Sequence, residues 1–513
     1  MTATATDPAQ RTHTNPLQKK FTAALELQKQ GRNHQALKIY QDVLALYPNS
    51  PQAMFCYGLA LLEVDKPAAA TDWISRAISR EPQTAGFHYH LGRALLLQKR
   101  IPAAKERFLA TLKLDPRHPQ AYFQLGDLAM DQGELEEAMT HFAQAISQAP
   151  NFGAAWINLG LCHKARMDLD QALACLDQGI AAEPENAVAH VNRAMTLLMA
   201  GRYREGWQAY KWRFQLPELQ NKHPSPKTLP PLWDGSPQPE KKLLLLAEQG
   251  YGDNLQFIRY LPLVKSRMGK IILALPAPLI PLYQEMAGID QLEKMAGIAD
   301  SEAAKGCDFH IPLLSLPQLF DTTLETIPQT VPYLHAPSRV VEKWQERLGD
   351  PDFFKVGLVW EGKPLHKNDP LRRRSCTLAD LAPLGQIKGV RFFSLQKGEA
   401  TQQLKQPPQG MEITNLDQEL SDFAETAGVI HHLDLVITID TSVAHLAGGL
   451  GARVWTMLPQ AADWRWYPKG EKSPWYPTMR LFWNGSPQDW QPLTQHLAQT
   501  LQELVNQHRS GEL

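Results

Sequence analysis

Cysteine is scarce in this sequence and its charges nearly cancel, and each of these features excludes a class of protein. Only five cysteines occur in 513 residues, without CxxC spacing. We therefore expect no disulfide framework and no zinc site, but reduced thiols, as in a cytoplasmic protein. The 52 basic and 53 acidic residues leave a formal net charge of −1. This balance lacks the excess of positive charge that is typical of nucleic-acid-binding proteins, so we expect no nucleic-acid partner.

Long apolar runs are also lacking. The N-terminal sequence MTATATDPAQRTHTNP has no apolar core of the kind that a signal peptide needs. The best candidate for a membrane segment, IILALPAPLIPLY, is short and is broken by Pro276, Pro278 and Pro281. We therefore expect no membrane span.

Proline, in contrast, is regularly placed. It recurs every 34 residues, at Pro48, Pro82, Pro116, Pro150 and Pro184. Three further columns keep the same 34-residue register. Counted from Pro51, each unit has small residues at its eighth and twentieth positions and a bulky residue at its twenty-fourth. The columns are Gly58, Gly92, Gly126, Gly160 and Ala194; Ala36, Ala70, Ala104, Ala138 and Ala172; and Tyr40, Ile74, Phe108, Phe142, Leu176 and Tyr210.

This pattern resembles the tetratricopeptide repeat family from about residue 17 to residue 214. Such a unit pairs two helices and cannot bury its apolar face alone. The resemblance therefore implies an all-α solenoid of stacked helix pairs with a concave wall. A repeat fold does not itself identify the partner that it holds.

The repeats end in a proline-rich, aperiodic stretch over 215–242, which is typical of an extended linker. Beyond it, short apolar runs alternate with helical stretches, as in parallel sheets covered on both faces. The runs lie at 243, 271, 308, 355, 391, 434 and 453. They form two groups divided near 330–352, so we predict two Rossmann-like lobes that face each other across a cleft.

Ligands of open parallel sheets bind beyond the carboxyl ends of the strands, so the loops that leave the strands are the candidate site. In the first loop, Gly250 and Gly252 would let the backbone approach a ligand. Leu255 stands where a dinucleotide fingerprint has its third glycine, which argues against NAD. Asp253 begins the following helix and is either a capping carboxylate or a general base that faces the cleft.

A second loop contains Asp440, Thr441 and Ser442, where a buried strand passes into a helix. Free backbone N–H groups at a helix start, with two hydroxyls beside them, suit a diphosphate. A cap alone would need only one hydroxyl. His445 lies four residues after Thr441 on the same face of the first turn, and this addition favours ligand contact.

Two further loops offer weaker candidates. Lys363 and Lys367 follow the strand at 355 and would neutralise phosphate oxygens. Gln396 follows the strand at 391 and would either reach a ribose or base or belong to a plain turn.

The sequence also favours a metal-free site. Asp-x-Asp pairs, which hold a divalent ion in another transferase fold, occur only at 168–170, inside a repeat, and at 350–352, in the hinge. The aromatic cluster at 463–466 with Trp475 and Tyr476 would either fill a lobe interface or stack on a sugar.

The region over 230–500 resembles the heptosyltransferase family, as it occurs in bacterial proteins that join such a domain to tetratricopeptide repeats. The segments that carry the resemblance are AEQGYGDNLQFIRYLP, GLVWEGKPLHKNDPLRRRS, SLQKG and LDLVITIDTSVAHLAGGLGARVW. It implies a GT-B fold, a nucleotide-sugar donor in the C-terminal lobe, and metal-independent transfer with inversion. Ser442 stands where heptosyltransferases carry glycine, so heptose itself is not predicted.

The resemblance also implies roles for single residues. Asp253 matches the base of the family, and a lysine within 363–367 matches its phosphate-binding lysine. The residues that match its donor-diphosphate element are Asp440, Thr441, Ser442 and His445.

The layout of the chain also resembles that of the nucleocytoplasmic O-GlcNAc transferases, whose superhelix presents protein substrates. At the sixth position of the repeats, Gln124, Asn158 and Asn192 carry amides that would hydrogen-bond an extended peptide acceptor. The alternative for this column is a solvent-facing row of polar residues.

Together, these patterns predict an inverting glycosyltransferase that acts on a protein or peptide acceptor. The alternative is a tetratricopeptide scaffold with a non-catalytic transferase-like domain. The predicted organisation is a disordered tail over 1–16, a superhelix over 17–220, a linker over 221–241, an N-terminal acceptor lobe over 242–345 and a C-terminal nucleotide-sugar lobe over 346–513.

Overall fold

The chain divides into two compact units, which meet in sequence between Cys162 and His163. The predicted tail over 1–16 lies outside the described residues except for Pro16. The computed structural model describes residues 16–220, 228–348, 352–362, 374–486 and 489–511, with side chains from residue 19 onward.

The described part of the first unit consists of paired helices joined by short turns. Its helices are α1 (Pro16–Lys29), α2 (Asn33–Leu46), α3 (Pro51–Leu62), α4 (Pro67–Arg80), α5 (Ala85–Leu97), α6 (Ile101–Leu114), α7 (Pro119–Gln132) and α8 (Leu135–Gln148), and α9 (Gly153–Ala165) runs across the boundary between the units.

The small and bulky columns of the sequence touch each other within successive helix pairs. A Cβ built on Gly92 would lie 2.6 Å from Cε1 of Phe108, and one on Gly126 would lie 2.6 Å from Cε1 of Phe142. Such distances are too short for any larger residue, so the glycines let the two helices of a repeat approach closely. The 34-residue period is thus a period of packing contacts.

The second unit begins with the last helices of the array. These are α10 (Leu169–Ala182), α11 (Ala187–Met199), α12 (Tyr203–Tyr210) and α13 (Pro217–Gln220), with a 3-10 turn at Lys211–Gln215. Aromatic residues of α12, among them Tyr203 and Trp207, are buried in the same apolar core as the sheets that follow. The last helices of the array therefore share one core with the lobes of the second unit.

The first sheet has four parallel strands in the order β3-β2-β1-β4. β1 begins at Gln238, within the segment that the sequence predicted to be a linker. Trp233 in the same segment is buried, and its backbone N–H donates to the backbone carbonyl of His310 at 2.9 Å. The strands are β1 (Gln238–Leu246), β2 (Met268–Leu275), β3 (Gln291–Lys294) and β4 (Phe309–Pro312), and the helices are α14 (Tyr251–Phe257), α15 (Leu261–Lys265), α16 (Ile280–Tyr283), α17 (Glu302–Lys305) and α18 (Leu316–Leu319).

The second sheet has six parallel strands in the order β10-β9-β8-β5-β6-β7. The strands are β5 (Phe354–Val359), β6 (Val390–Ser394), β7 (Ile413–Asn415), β8 (Leu435–Ile439), β9 (Val454–Leu458) and β10 (Met479–Trp483). The helices are α19 (Ser338–Leu348), α20 (Phe423–His431), α21 (Ser442–Gly449) and α22 (Gln491–Ser510).

The structure has a strand at each of the seven apolar runs of the sequence, and both sheets are parallel, as in an α/β fold. It adds β3, β7 and β10, which the sequence did not indicate, and all three lie at sheet edges. Among the described helices, none is both long and apolar enough to cross a bilayer.

Candidate functional site

Both sheets place their candidate loops at a topological switch point. In the first sheet the chain runs from β1 to β2 and β3 on one side and returns to β4 on the other, so the loop after β1 leaves at the reversal. In the second sheet the order reverses between β5 and β8. Ligands of open α/β sheets bind at these positions. The loop with Gly250 and the loop with Asp440 therefore both lie where a ligand is expected.

These two loops meet. A Cβ built on Gly252, in α14, would lie 2.8 Å from Cδ2 of His445 and 3.5 Å from Cα of Ser442, both in α21. The first helix after β1 thus packs directly against the first helix after β8. Asp253 and the Asp440–His445 element, which lie almost 200 residues apart in the sequence, are brought together where the two lobes pack against each other.

The carboxylate of Asp253 has two partners. The N–H of Gly250 donates to Oδ2 at 2.9 Å, which is the helix-capping contact that the sequence suggested. The other oxygen, Oδ1, accepts from Nη2 of Arg465 in an ion pair. Burial raises the pKa of Asp253, and the Arg465 guanidinium opposes this rise.

Arg465 lies in the 3-10 turn Trp464–Trp466 after β9 and connects the two lobes. Its Nε donates to Oε1 of Gln256 at 2.7 Å, and its Nη1 donates to Oδ1 of Asp463 at 2.8 Å. Burial disfavours its charge, but the carboxylates of Asp463 and Asp253 outweigh this effect and raise its pKa. The sequence analysis missed Arg465, and its place inside an aromatic cluster gave no signal of the role.

His445 is buried and held on two sides. Its Nδ1 lies 2.8 Å from the hydroxyl of Tyr476, and its ring stacks on Trp466 with centroids 5.3 Å apart. Burial, with the nearby cations Arg465 and Arg259, lowers its pKa well below the ordinary value. The ring is therefore neutral at physiological pH, which suits hydrogen bonding better than charge neutralisation.

The start of α21 offers partly exposed polar groups. Thr441 is the N-cap residue, but its side chain does not accept from the helix, and its Oγ1 lies 3.2 Å from Oγ1 of Thr438. The hydroxyl of Ser442 lies one residue further. Burial, then the neighbouring Asp463 carboxylate, raises the pKa of Asp440 to about 6, and the Arg374 cation opposes the rise.

The side chain of Gln396 holds the backbone of the loops around the site. Its Oε1 accepts from the N–H groups of Trp360 at 3.1 Å and Glu361 at 3.0 Å. Its Nε2 donates to the carbonyls of Glu361 at 2.9 Å and Lys397 at 3.1 Å. These bonds connect the loops after β5 and β6, so the amide positions the backbone, and a ligand would have to displace them.

Lys363 and Lys367 lie outside the described residues, in the gap between 362 and 374. Among the residues that the structure does describe, no group of three or more His, Cys, Asp or Glu side chains is placed to hold a metal ion. The candidate aromatic residues Trp466, Trp475 and Tyr476 are fully buried, so they fill the interface between the lobes and offer no open ring face.

The amide column of the repeats is partly engaged. Nδ2 of Asn158 donates to Oδ1 of Asp127 at 2.6 Å. Nδ2 of Asn192 donates to the carbonyl of Val188 at 2.9 Å, and its Oδ1 accepts from Lys164 at 3.4 Å. Gln124 is partly exposed. A peptide would have to share or replace these bonds at the two asparagines.

Tetratricopeptide-repeat family models match residues 21–83, 65–104, 89–152 and 129–198. These ranges confirm the repeats that the proline and glycine columns predicted. The matched residues together make up about a third of the chain.

A curated protein, FlbA of Caulobacter vibrioides, is 29% identical to this chain over 346 residues. The alignment covers 61% of this chain and 54% of FlbA. The covered share of this chain is larger than residues 16–220, so the similarity extends beyond the repeats. The chain spans only about half the length of this relative.

Among solved structures, MamA is 21% identical, over 33% of this chain and 93% of its own, with a TM-score of 0.30. PilF of Pseudomonas aeruginosa is 16% identical, over 40% of this chain and 95% of its own, with a TM-score of 0.37. YrrB, described as a TPR protein with an unusual peptide-binding site, is 24% identical, over 33% and 88%, with a TM-score of 0.29. From the family models, residues 21–198 are tetratricopeptide repeats, and the chain continues from them into two parallel α/β lobes.

Proposed function

We propose that this chain is an inverting glycosyltransferase with a GT-B arrangement, which transfers a sugar from a nucleotide donor to a protein or peptide presented by the repeats. The observation that carries the proposal is the contact of Gly252 with His445 and Ser442. It brings the half-buried carboxylate of Asp253 next to the start of α21, whose N-cap side chain makes no capping bond. The two groups that inverting transfer needs, a base and a phosphate site, then lie side by side.

In the proposed reaction the acceptor hydroxyl gives its proton to Asp253 while its oxygen attacks the anomeric carbon. The bond from that carbon to the phosphate oxygen breaks, and the nucleotide leaves with the electron pair. N–H groups at the start of α21 and the hydroxyls of Thr441 and Ser442 would stabilise the leaving phosphate. His445, neutral and oriented by Tyr476, would donate a hydrogen bond there. The step requires no metal and no cofactor.

The first experiment is a thermal-shift screen of the full chain against UDP, GDP, ADP and CMP, each with and without a sugar. A ligand at 100 times its dissociation constant stabilises a protein by about 2.7 kcal/mol, which is easily measured. Stabilisation by one nucleotide class identifies the donor class and makes a turnover assay with the matching nucleotide sugar possible.

The decisive variant is Asp253→Asn, which keeps the shape of the side chain and an oxygen for the Gly250 N–H. Loss of the base should lower kcat by about 10²- to 10⁴-fold. Nucleotide binding should persist, because Asp253 itself makes none of the proposed phosphate contacts. Asp300→Asn changes an exposed carboxylate of the same lobe and is the matched control. Full turnover in Asp253→Asn would refute the assigned base.

A scaffold without turnover is the second candidate function. One observation favours it: the carboxylate of Asp253 is already paired with Arg465, and His445 packs against the neighbouring Gly252. If no nucleotide stabilises the chain while a protein partner still binds the array, the scaffold is the better account.

A further inference from the structure

Arg465 is the most connected charged side chain where the two lobes meet, yet its hydrogen-bonding capacity is not used up. A guanidinium has five N–H groups in a planar fork. Three of them donate, one each from Nε, Nη1 and Nη2, to Gln256, Asp463 and Asp253. One N–H on Nη1 and one on Nη2 therefore have no acceptor among the described residues.

A second donor beside Arg465 is also unsatisfied. Gln256 is fully buried, and its Oε1 accepts from Arg465. Its Nε2 has no hydrogen-bond partner among the residues that the structure describes. Buried donors without acceptors are costly, so unsatisfied donors on two side chains that are bonded to each other favour an acceptor-rich ligand.

The charge of Arg465 also reaches both halves of the candidate site. It forms the ion pair with Asp253 in the first lobe. In the second lobe its field lowers the pKa of His445 and opposes the rise in the pKa of Asp440. One cation is thus shared between the proposed base and the proposed phosphate site.

We propose that Arg465 binds a phosphate of the nucleotide donor, and that this second anion weakens its ion pair with Asp253, so that the base becomes fully active only after the donor has bound. This inference rests on the proposed function and adds an order of binding to it. The physical reason is competition: a phosphate that shares the guanidinium withdraws positive charge from the carboxylate, which then holds a proton more strongly. The acceptor hydroxyl consequently meets a stronger base when a donor is present.

The charged and titratable groups that face Asp253 set the background for this effect. Asp463 and Arg465 lie after β9, Glu248 lies after β1, and Tyr210 lies in α12. Of these, Glu248 is already paired with Arg213. Asp440 also titrates near the site, so a test has to separate its proton from that of Asp253.

The test is titration calorimetry of the full chain with the nucleotide that binds best among UDP, GDP, ADP and CMP, in two buffers of different ionisation enthalpy. Wild-type protein should take up a proton on binding at mildly acidic pH, because the bound phosphate raises the pKa of Asp253. Asp253→Asn should abolish this uptake and bind the nucleotide several times more tightly, since Arg465 then has one competing anion fewer. Uptake that persists in Asp253→Asn would overturn the proposal.

The second arm uses Arg465→Gln, with Arg465→Lys and Arg480→Gln for comparison. Loss of hydrogen bonds from a charged group should weaken nucleotide binding by about tenfold to a hundredfold in Arg465→Gln. Arg465→Lys should be intermediate, because lysine keeps the charge without the fork. Arg480 pairs with Glu471 near the surface of the same lobe, and its variant should bind like wild type.

The outcomes separate the inference from the function on which it rests. Equal nucleotide affinity in wild type and Arg465→Gln would refute the role of Arg465 and leave the transferase proposal intact. Failure of wild type to bind any of the four nucleotides would refute both. If Arg465→Gln does not fold, the proton count in Asp253→Asn still decides the question.

Discussion

At the scale of single residues, Gly252 decides how closely the two lobes approach each other. A methyl group at this position would lie 2.8 Å from the ring of His445. That ring is fixed by the hydroxyl of Tyr476 and by stacking on Trp466, so it cannot turn away. Only a residue without a side chain allows the observed contact between α14 and α21.

Gly252→Ala should therefore push the lobes apart at the candidate site. Overpacking of a tight contact costs about 1–3 kcal/mol, which should appear as a lower free energy of unfolding. Nucleotide affinity should fall with it, because Ser442 lies at the same contact. Gly470→Ala is the control, since a Cβ there would meet nothing within 4 Å. Equal stability of the two variants would show that the contact is looser than described.

At the scale of elements, the last repeat holds the loop that carries Asp253. Arg213, just after α12, forms two hydrogen bonds with Glu248, from Nε at 2.6 Å and from Nη2 at 2.9 Å. Gln249 has a left-handed backbone with φ of 59° and donates to the hydroxyl of Tyr210 at 2.9 Å. The loop after β1 thus takes its shape from a helix of the array as well as from its own glycines.

Arg213→Met should destabilise the second unit strongly, because it leaves the buried carboxylate of Glu248 without its partner. Breaking a buried ion pair costs about 3–5 kcal/mol. Arg204→Met is the matched control: Arg204 also projects from α12 to the first lobe, but its pair with Asp321 is exposed, so its loss should change the stability little. Urea unfolding of both variants measures the difference, and similar midpoints would contradict it.

The element scale also shows where prediction from sequence failed. The strands β3 and β7 have mostly exposed or half-exposed side chains, and β10 carries an arginine at its second position. Each of the three pairs with a single neighbouring strand. Central parallel strands are buried on both faces and show as continuous apolar runs. The edge strand β4 is also largely buried and was recognisable, whereas β3 and β7 are not buried and left no such run. The predicted strands were recognisable because their burial left that pattern.

At the scale of the whole molecule, the boundary between the two units lies inside the repeat array and not at the proline-rich stretch. The second unit begins at His163 and includes α10 to α12. Trp207 packs edge-on to Trp464 at 5.2 Å between ring centroids, and its Nε1 donates to the carbonyl of Thr322. The final repeats are therefore part of the core that supports the lobes.

A fragment over 149–513 should fold, whereas a fragment over 228–513, cut at the predicted linker, should not. The shorter fragment would expose the core surface against which Tyr203, Trp207 and Tyr210 pack, and would leave Glu248 unpaired. Circular dichroism and gel filtration would compare their melting temperatures and their aggregation. A compact 228–513 fragment with the same melting temperature as the longer one would contradict this dependence.

The sequence by itself determined the features that repeat or that are buried on all sides. The register of the array follows from contacts between residues sixteen apart, and Gly58 with Ile74, Gly92 with Phe108 and Gly126 with Phe142 repeat this contact in successive units. The apolar runs also placed Gly250, Gly252 and Asp440 directly after buried strands. Loops at the carboxyl ends of parallel strands are where ligands bind, so these residues were candidates from the sequence alone.

The tertiary structure alone decided which side chains meet at the site. Arg465 pairs with Asp253 across 212 residues of sequence, and Gln396 turned out to bond backbone groups of neighbouring loops. Pairs of this kind occur once and arise from the packing of distant elements. A contact that occurs once and joins distant segments leaves no period and no composition bias, which is why it cannot be inferred from one sequence.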